Sequence, residues 1–201
     1  MRVIGITGGV GAGKSKVLEY LEEKYNCQVI LADKVAHMLE EKGQKCYEEL
    51  TALLGEKILA PDKSIDKQKM AEIIFADMDL LYKVNNIVHP AVKAFIVKTI
   101  EDKRIEGRLD FLFIEAALLI EDGYDVIVDE LWYIHSDVDI RRDRLKSTRA
   151  YSDEKIDEII QKQLSEEEFR KHCKVIIDNS GSFKAACKQI DEKMEEYLCQ
   201  R

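Results

Sequence analysis

The chain has 201 residues, of which 46% are hydrophobic and 35% charged, and its formal net charge is −8. These values fit one globular domain with a sizeable core. The acidic balance argues against general nucleic-acid binding, and no apolar run approaches the roughly 18 residues that span a bilayer. The five cysteines are scattered without C-x-x-C spacing, which predicts reduced thiols in a cytoplasmic protein.

Five short apolar runs alternate with helical patterns along the chain. The predicted strands cover residues 2–6, 28–32, 110–115, 130–135 and 174–178. Strands that are apolar almost throughout and separated by helices predict a parallel sheet with helices on both faces. The last predicted helix covers residues 182–198.

Two segments are longer than simple alternation requires. A parallel crossover needs only about a dozen residues, whereas roughly 75 mostly helical residues separate the second and third strands. We therefore expect an inserted helical lobe at about residues 34–89. A strongly charged helical segment at about 136–170 predicts a short lid, which leaves about 1–33, 90–135 and 171–201 as the core of a single domain.

The first strand is followed by the motif G-x-x-x-x-G-K-[ST], formed by Gly8, Gly13, Lys14 and Ser15. In such loops the backbone N–H groups surround a phosphate chain, and the N-terminus of the next helix favours negative charge. Lys14 would contact the β- and γ-phosphates, and the Ser15 hydroxyl would bind Mg²⁺. The motif predicts nucleoside triphosphate binding. The lobe and lid favour a small-molecule kinase, because closure keeps water from the transferred phosphoryl group.

Two carboxylates lie at strand ends, where ligands bind in open α/β sheets. Asp33, after the second strand, could accept a proton from an acceptor hydroxyl or hold Mg²⁺ through water. It could also cap a helix starting at Lys34. Glu115 could be a Walker-B-like acid near Mg²⁺ or a surface charge at the end of the third strand.

Residues 136–149 carry five basic and three acidic side chains, so this segment is positive in a chain that is acidic as a whole. The basic residues are Arg141, Arg142, Arg144, Lys146 and Arg149. Lid arginines commonly stabilise a transferring phosphoryl group, although a solvated helix with internal ion pairs would show the same pattern. His89 precedes Pro90, which we expect to open a helix, so His89 could bind substrate or merely pack and cap.

The combination of motifs resembles the dephospho-CoA kinase family. Its members carry counterparts of TGGVGAGKS at residues 7–15, LAD at 31–33, HP at 89–90, ALLIE at 117–121 and IIDNSGS at 176–182. The order and spacing hold over nearly the whole chain. The resemblance implies a P-loop NTPase-type kinase that uses ATP and Mg²⁺ to phosphorylate the 3′-hydroxyl of dephospho-CoA, with no obligate protein partner.

The resemblance also implies roles for single residues. Asp33 is the general base, acting with Lys14, Arg144 and Arg149 in catalysis, while Asp33, His89 and Glu115 contact the substrate. The expected ATP-binding residues are Gly8, Gly11, Ala12, Gly13, Lys14, Ser15, Lys16 and Asn179, the last of them near the adenine. Mg²⁺ is expected on Ser15, with Asp33 or Glu115 as a further ligand through water.

The chain departs from the family pattern at several positions. Leu31 replaces the first acid of an Asp-Ala-Asp stretch, Glu115 replaces an Asp, Ala117 replaces a Pro, and the second lid arginine is displaced by one position to Arg149. Two alternatives to this family's activity stay open. One is a kinase for another metabolite, such as a nucleoside monophosphate. The other is a nucleotide-dependent switch, which needs no acceptor base.

Overall fold

The computed structural model describes residues 1–200. Five strands form one sheet in the spatial order β2-β3-β1-β4-β5. Their bounds are Arg2–Thr7 (β1), Cys27–Leu31 (β2), Phe111–Glu115 (β3), Glu130–His135 (β4) and Val175–Asp178 (β5). β1 pairs in parallel with β3 and β4, and β4 pairs in parallel with β5. The predicted parallel α/β sheet is therefore confirmed, and the strand bounds differ from the predicted ones only by single residues.

Nine α-helices lie in the part of the chain that the structure describes. They are Lys14–Lys24 (α1), Ala32–Leu39 (α2), Lys45–Leu54 (α3), Lys67–Phe75 (α4), Met78–Glu106 (α5), Val138–Arg149 (α6), Asp153–Gln161 (α7), Glu166–His172 (α8) and Phe183–Cys199 (α9). Across residues 1–200, none of these helices combines the length and apolar character needed to cross a bilayer.

The chain divides into two compact units, and the first comprises residues 1–29 and those from 107 onward. Its core is the sheet, in which Ile4, Ile6, Phe113 and Trp132 have no exposed surface. The rings of Phe113 and Trp132 meet edge to face with centroids 6.0 Å apart, an arrangement that aromatic pairs prefer. Burial of apolar side chains in the sheet fixes the strand ends that carry the loops described below.

The second unit, Ile30–Glu106, is helical, with α5 packed against α2, α3 and α4. α5 buries a stripe that recurs every four residues, formed by Val84, Val88, Val92, Ile96 and Ile100. Successive members of this stripe are neighbours on the helix surface, and together they form a buried stripe along α5.

Pro90 lies inside α5, so the prediction that it opens a helix is wrong. A proline in a helix interior removes one hydrogen bond and costs about 3 kcal/mol. The apolar stripe continues on both sides of Pro90, and its burial offsets that cost. Because α5 runs unbroken from Met78 to Glu106, the helical unit extends beyond the expected range of 34–89.

Candidate active site

The loop between β1 and α1 turns on glycines in the left-handed region. Gly13 is the N-cap of α1 with φ 91° and ψ 24°, and a Cβ there would lie 2.4 Å from Asn179 Nδ2. Gly8 has φ 148°, and its Cβ would lie 2.5 Å from the carbonyl oxygen of Ile134. Backbone angle and close approach therefore both require glycine at these two motif positions.

The loop presents the N-terminus of α1 without a side-chain cap. The first N–H groups of a helix have no partner within it, and they suit an anion. Ser15 and Lys16 lie in this first turn with exposed side chains. The Lys16 ammonium lies 4.3 Å from the centroid of the Phe183 ring, and the predicted phosphate contact of Lys16 is not tested by the structure.

Lys14 connects the loop to the neighbouring strand β3. Its ammonium donates a 2.8 Å hydrogen bond to the carbonyl of Gly8 and lies 3.6 Å from Glu115 Oε1. The side chains of Lys14 and Glu115 are 16% and 19% exposed, so Glu115 is not a freely solvated surface charge. Strand register explains the pairing, because Glu115 is the partner of Ile6, near the end of β1.

Arg144 of α6 binds the rim of the loop through backbone oxygens. Nη1 donates to the carbonyls of Gly11 and Ala12 and to Ser136 Oγ, each at 3.3 Å. Nη2 donates to the carbonyl of Asn179 at 2.8 Å. The predicted lid arginine therefore lies on the phosphate loop and shapes it.

Asn179, after β5, supports the same stretch of the loop. Its amide Nδ2 donates to the carbonyl of Ala12 at 2.8 Å, and its backbone N–H donates to the carbonyl of His135 at 2.8 Å. Asn179 is 3% exposed. Its side-chain oxygen Oδ1 is buried and has no hydrogen-bond partner among residues 1–200. Asn179 thus joins the ends of β4 and β5 to the loop.

Arg149 and Arg142 lie elsewhere on α6. Arg149 is its last residue, with the guanidinium 6.0 Å from the centroid of the Tyr151 ring, and its catalytic role stays a prediction. Arg142 pairs with Asp157 and lies 3.5 Å from Asp153. The alternative of a helix with surface ion pairs therefore holds for Arg142.

Asp33 and His89 belong to the second unit. α2 begins at Ala32 and its N-cap is Leu31, which excludes the alternative in which Asp33 caps a helix starting at Lys34. Asp33 lies in the first turn of α2 with an exposed carboxylate. His89 is half-buried in the middle of α5, which excludes the expected capping role because no helix begins there.

Sequence reasoning missed two residues that contact the loop. Arg141 was noted only as part of a basic segment, and Gln163 was not noted. Arg141 Nε donates to the carbonyl of Val10 at 2.8 Å, and Gln163 Oε1 accepts from the Val10 N–H at 3.3 Å. The spacing of Arg141 and Arg144, three residues apart on one helix face, was a signal that both could meet the same surface.

The site combines a strand, a left-handed glycine loop and an uncapped helix, with a mostly buried Lys–Glu pair beside them. These features define the class of P-loop kinases and related nucleotide-binding proteins. The family model for dephospho-CoA kinase matches residues 2–185. The chain belongs to the dephospho-CoA kinase family, as its motifs predicted.

Curated relatives agree with this assignment. A dephospho-CoA kinase of Symbiobacterium thermophilum is 36% identical over 191 residues, covering 95% of this chain and 79% of the relative. The dephospho-CoA kinase of Aquifex aeolicus is 36% identical over 197 residues, which cover 98% of this chain and 97% of the relative. A crystal structure of a Thermus thermophilus protein is 26% identical with a TM-score of 0.79, covering 97% of both chains. A Campylobacter jejuni dephospho-CoA kinase has the same fold, with a TM-score of 0.73 at 23% sequence identity. The match covers 98% of this chain and 97% of that one.

Proposed function

We propose that this protein is a dephospho-CoA kinase, which transfers the γ-phosphoryl group of ATP to the 3′-hydroxyl of dephospho-CoA. The products are coenzyme A and ADP. The observation that carries the proposal is the loop geometry, with Lys14 held between Gly8 and Glu115, in a chain whose family model covers residues 2–185.

The loop residues perform the donor half of the reaction. The backbone N–H groups at the start of α1 and the Lys14 ammonium bind the phosphate oxygens. Arg144 holds the carbonyls of Gly11 and Ala12, which fixes the orientation of these two peptide groups in the loop. Binding groups fixed in advance stabilise developing charge without reorganisation during the reaction.

The oxygen ligands near the loop fit Mg²⁺. Protein Mg²⁺ sites usually use one or two carboxylates together with substrate phosphates, so a dense acidic cluster is not needed. Ser15 offers an exposed hydroxyl and Glu115 a mostly buried carboxylate beside Lys14. When bound, Mg²⁺ neutralises charge on the β- and γ-phosphates, and Ser15 and Glu115 are the residues that would hold it.

The acceptor half of the reaction is assigned to the second unit. As the 3′-oxygen forms its bond to the γ-phosphorus, the bond from that phosphorus to the bridging oxygen of ADP breaks. The hydroxyl proton passes to the carboxylate of Asp33. The exposed position of Asp33 in the first turn of α2 and the family resemblance support this role, and His89 is assigned to acceptor binding on the resemblance alone. We place the reaction in the cytoplasm.

A panel of acceptors tests the proposal. Purified protein with ATP and Mg²⁺ is given dephospho-CoA, adenosine monophosphate, other nucleoside monophosphates or no acceptor, and ADP is measured by a coupled assay. ADP formation only with dephospho-CoA is expected. Preferred turnover of a nucleoside monophosphate would replace this activity with another metabolite kinase.

A further inference from the structure

Both backbone polar groups of Val10 are held by side chains from distant parts of the first unit. The Val10 N–H donates to Gln163 Oε1 at 3.3 Å, and the Val10 carbonyl accepts from Arg141 Nε at 2.8 Å. Arg141 Nη2 donates to the same Gln163 oxygen at 2.6 Å. We call these three residues the Val10 clamp. Their hydrogen bonds form a closed ring that joins the phosphate loop, α6 and the turn after α7.

Arg141 is a buried cation bound to neutral oxygens. The residue is 8% exposed, and within residues 1–200 it makes no ion pair with a carboxylate, since its hydrogen bonds go to Val10 and Gln163. Its guanidinium lies against Gly9, where a Cβ would be 2.3 Å from Arg141 Cζ. A buried charge without a counter-ion is costly. The neutral oxygens of Val10 and Gln163 therefore have to stay in place to hold the guanidinium.

Gln163 orients that cation. A single oxygen, Oε1, accepts from both the charged Arg141 and the Val10 peptide. Hydrogen bonds from charged donors are stronger than neutral ones, and loss of the acceptor would leave two donors without a partner. The backbone at Val10 would then be free to rotate, and Val10 lies directly before Gly11 in the phosphate loop.

We propose that Arg141 and Gln163 are positioning residues for the ATP phosphates. Gln163 fixes Arg141 and the Val10 peptide, and Arg141 in turn holds the loop in the conformation that binds phosphate. The clamp sets affinity for the nucleotide and leaves affinity for the acceptor unchanged. This inference rests on the proposed ATP-dependent kinase activity.

The experiment compares Gln163→Met, Gln163→Glu and Gln161→Met. Methionine matches the length of glutamine but has no oxygen acceptor, whereas glutamate keeps one. Gln161 is the matched control, because it is exposed at the end of α7 and makes no side-chain hydrogen bond within residues 1–200. The dissociation constant of the non-hydrolysable ATP analogue AMP-PNP is measured by calorimetry with Mg²⁺. This readout needs no acceptor, so it remains valid if the acceptor assignment fails.

Gln163→Met is expected to weaken AMP-PNP binding and raise the KM for ATP by about tenfold, while the KM for dephospho-CoA changes by less than about twofold. Gln163→Glu should restore AMP-PNP affinity to within about threefold, and Gln161→Met should match the unmodified protein. Unchanged AMP-PNP affinity in a folded Gln163→Met variant overturns the proposal, as does a Gln163→Glu variant no better than methionine. If Gln163→Met does not fold, Gln163→Asn is measured instead. Its side chain is one methylene shorter, so the amide oxygen no longer reaches Val10 and Arg141, and the same loss of AMP-PNP affinity is expected.

Discussion

Lys14 Nζ lies 3.6 Å from Glu115 Oε1, with both side chains mostly buried. The pair joins the phosphate loop to the end of β3 and places a carboxylate beside the group that binds phosphate. This pairing is the basis for the proposal that Glu115 orients Lys14 and serves as an oxygen ligand for Mg²⁺.

Replacing Glu115 by Gln keeps the shape of the side chain and removes its charge. We expect kcat to fall by about tenfold to a hundredfold, a range typical for loss of a group that orients a metal site. The half-saturating Mg²⁺ concentration should rise. Steady-state kinetics over a Mg²⁺ series measure both effects, and Glu121→Gln, an exposed acid six residues later, is the control. An unchanged Mg²⁺ curve for Glu115→Gln would remove Glu115 from the site.

Asp33→Asn tests the assignment of the acceptor base. A general base accelerates a reaction by about a hundredfold to ten-thousandfold. The turnover number of Asp33→Asn should therefore fall by a factor in this range, while its affinity for AMP-PNP stays nearly intact. Single-turnover kinetics and calorimetry separate the two quantities. Asp102→Asn changes an exposed carboxylate on α5 of the same unit and should leave turnover unchanged. Normal turnover by Asp33→Asn would exclude Asp33 as the base.

Gly13→Ala tests the backbone conformation of the loop. A residue with a side chain is disfavoured by about 1–2 kcal/mol in the left-handed region, and here the Cβ also meets Asn179 Nδ2 at 2.4 Å. The free energy of unfolding, from urea titration, should fall by at least this amount, and AMP-PNP binding should be lost. Gly181→Ala is the stability control, because a Cβ at Gly181 meets nothing within 4 Å. Equal stability of the two variants would contradict the steric account.

Asp191 of α9 ties α1 in place and makes stability depend on pH. Its carboxylate accepts from the hydroxyls of Tyr20 and Tyr25, each at 2.7 Å, and lies 2.7 Å from the Lys24 ammonium. Burial alone would raise the pKa of Asp191, but the bonds from Lys24, Tyr25 and Tyr20 outweigh it and lower the pKa. The folded state therefore favours the ionised carboxylate.

The stabilisation by Asp191 is expected to be complete above the carboxyl's unfolded-state pKa, about 4, and to be lost as pH falls through the lower folded-state pKa. Asp191→Asn should then be less stable than the unmodified protein at pH 7, with the difference shrinking below about pH 4. Urea unfolding at several pH values measures this, with Glu195→Gln, an exposed residue on the same helix, as control. A difference that does not change with pH would show that the carboxylate charge is not responsible.

Local patterns were enough to predict the sheet and the loop. The apolar runs of the strands and the spacing around Lys14 depend on near neighbours in sequence, and each pattern agreed with its structural context. Pro90 was misread because a proline at a helix start and one inside a helix look alike in sequence. What decides between them is burial of the α5 stripe on both sides of Pro90, which is a tertiary effect.

The contacts of the loop were harder to predict. Arg141 and Gln163 reach Val10 across more than a hundred residues of chain. The spacing of Arg141 and Arg144 places both on one helix face, but it does not identify Val10 as a partner, and no local pattern marks Gln163. The alternative in which Asp33 caps a helix fails because α2 starts two residues earlier than that alternative requires, an uncertainty common at helix ends. The roles of Asp33, Arg149 and His89 in the site stay predictions.

The most direct measurement identifies the product formed from ATP and dephospho-CoA. Phosphorus NMR and mass spectrometry of the reaction mixture distinguish a phosphomonoester on the ribose 3′-oxygen from any other phosphorylated species. We predict one equivalent of 3′-phosphorylated product for each ADP, with Asp33→Asn forming both about a hundredfold to ten-thousandfold more slowly. ADP released without a 3′-phosphomonoester, or phosphate on another oxygen, would contradict the assignment of this chain as a dephospho-CoA kinase.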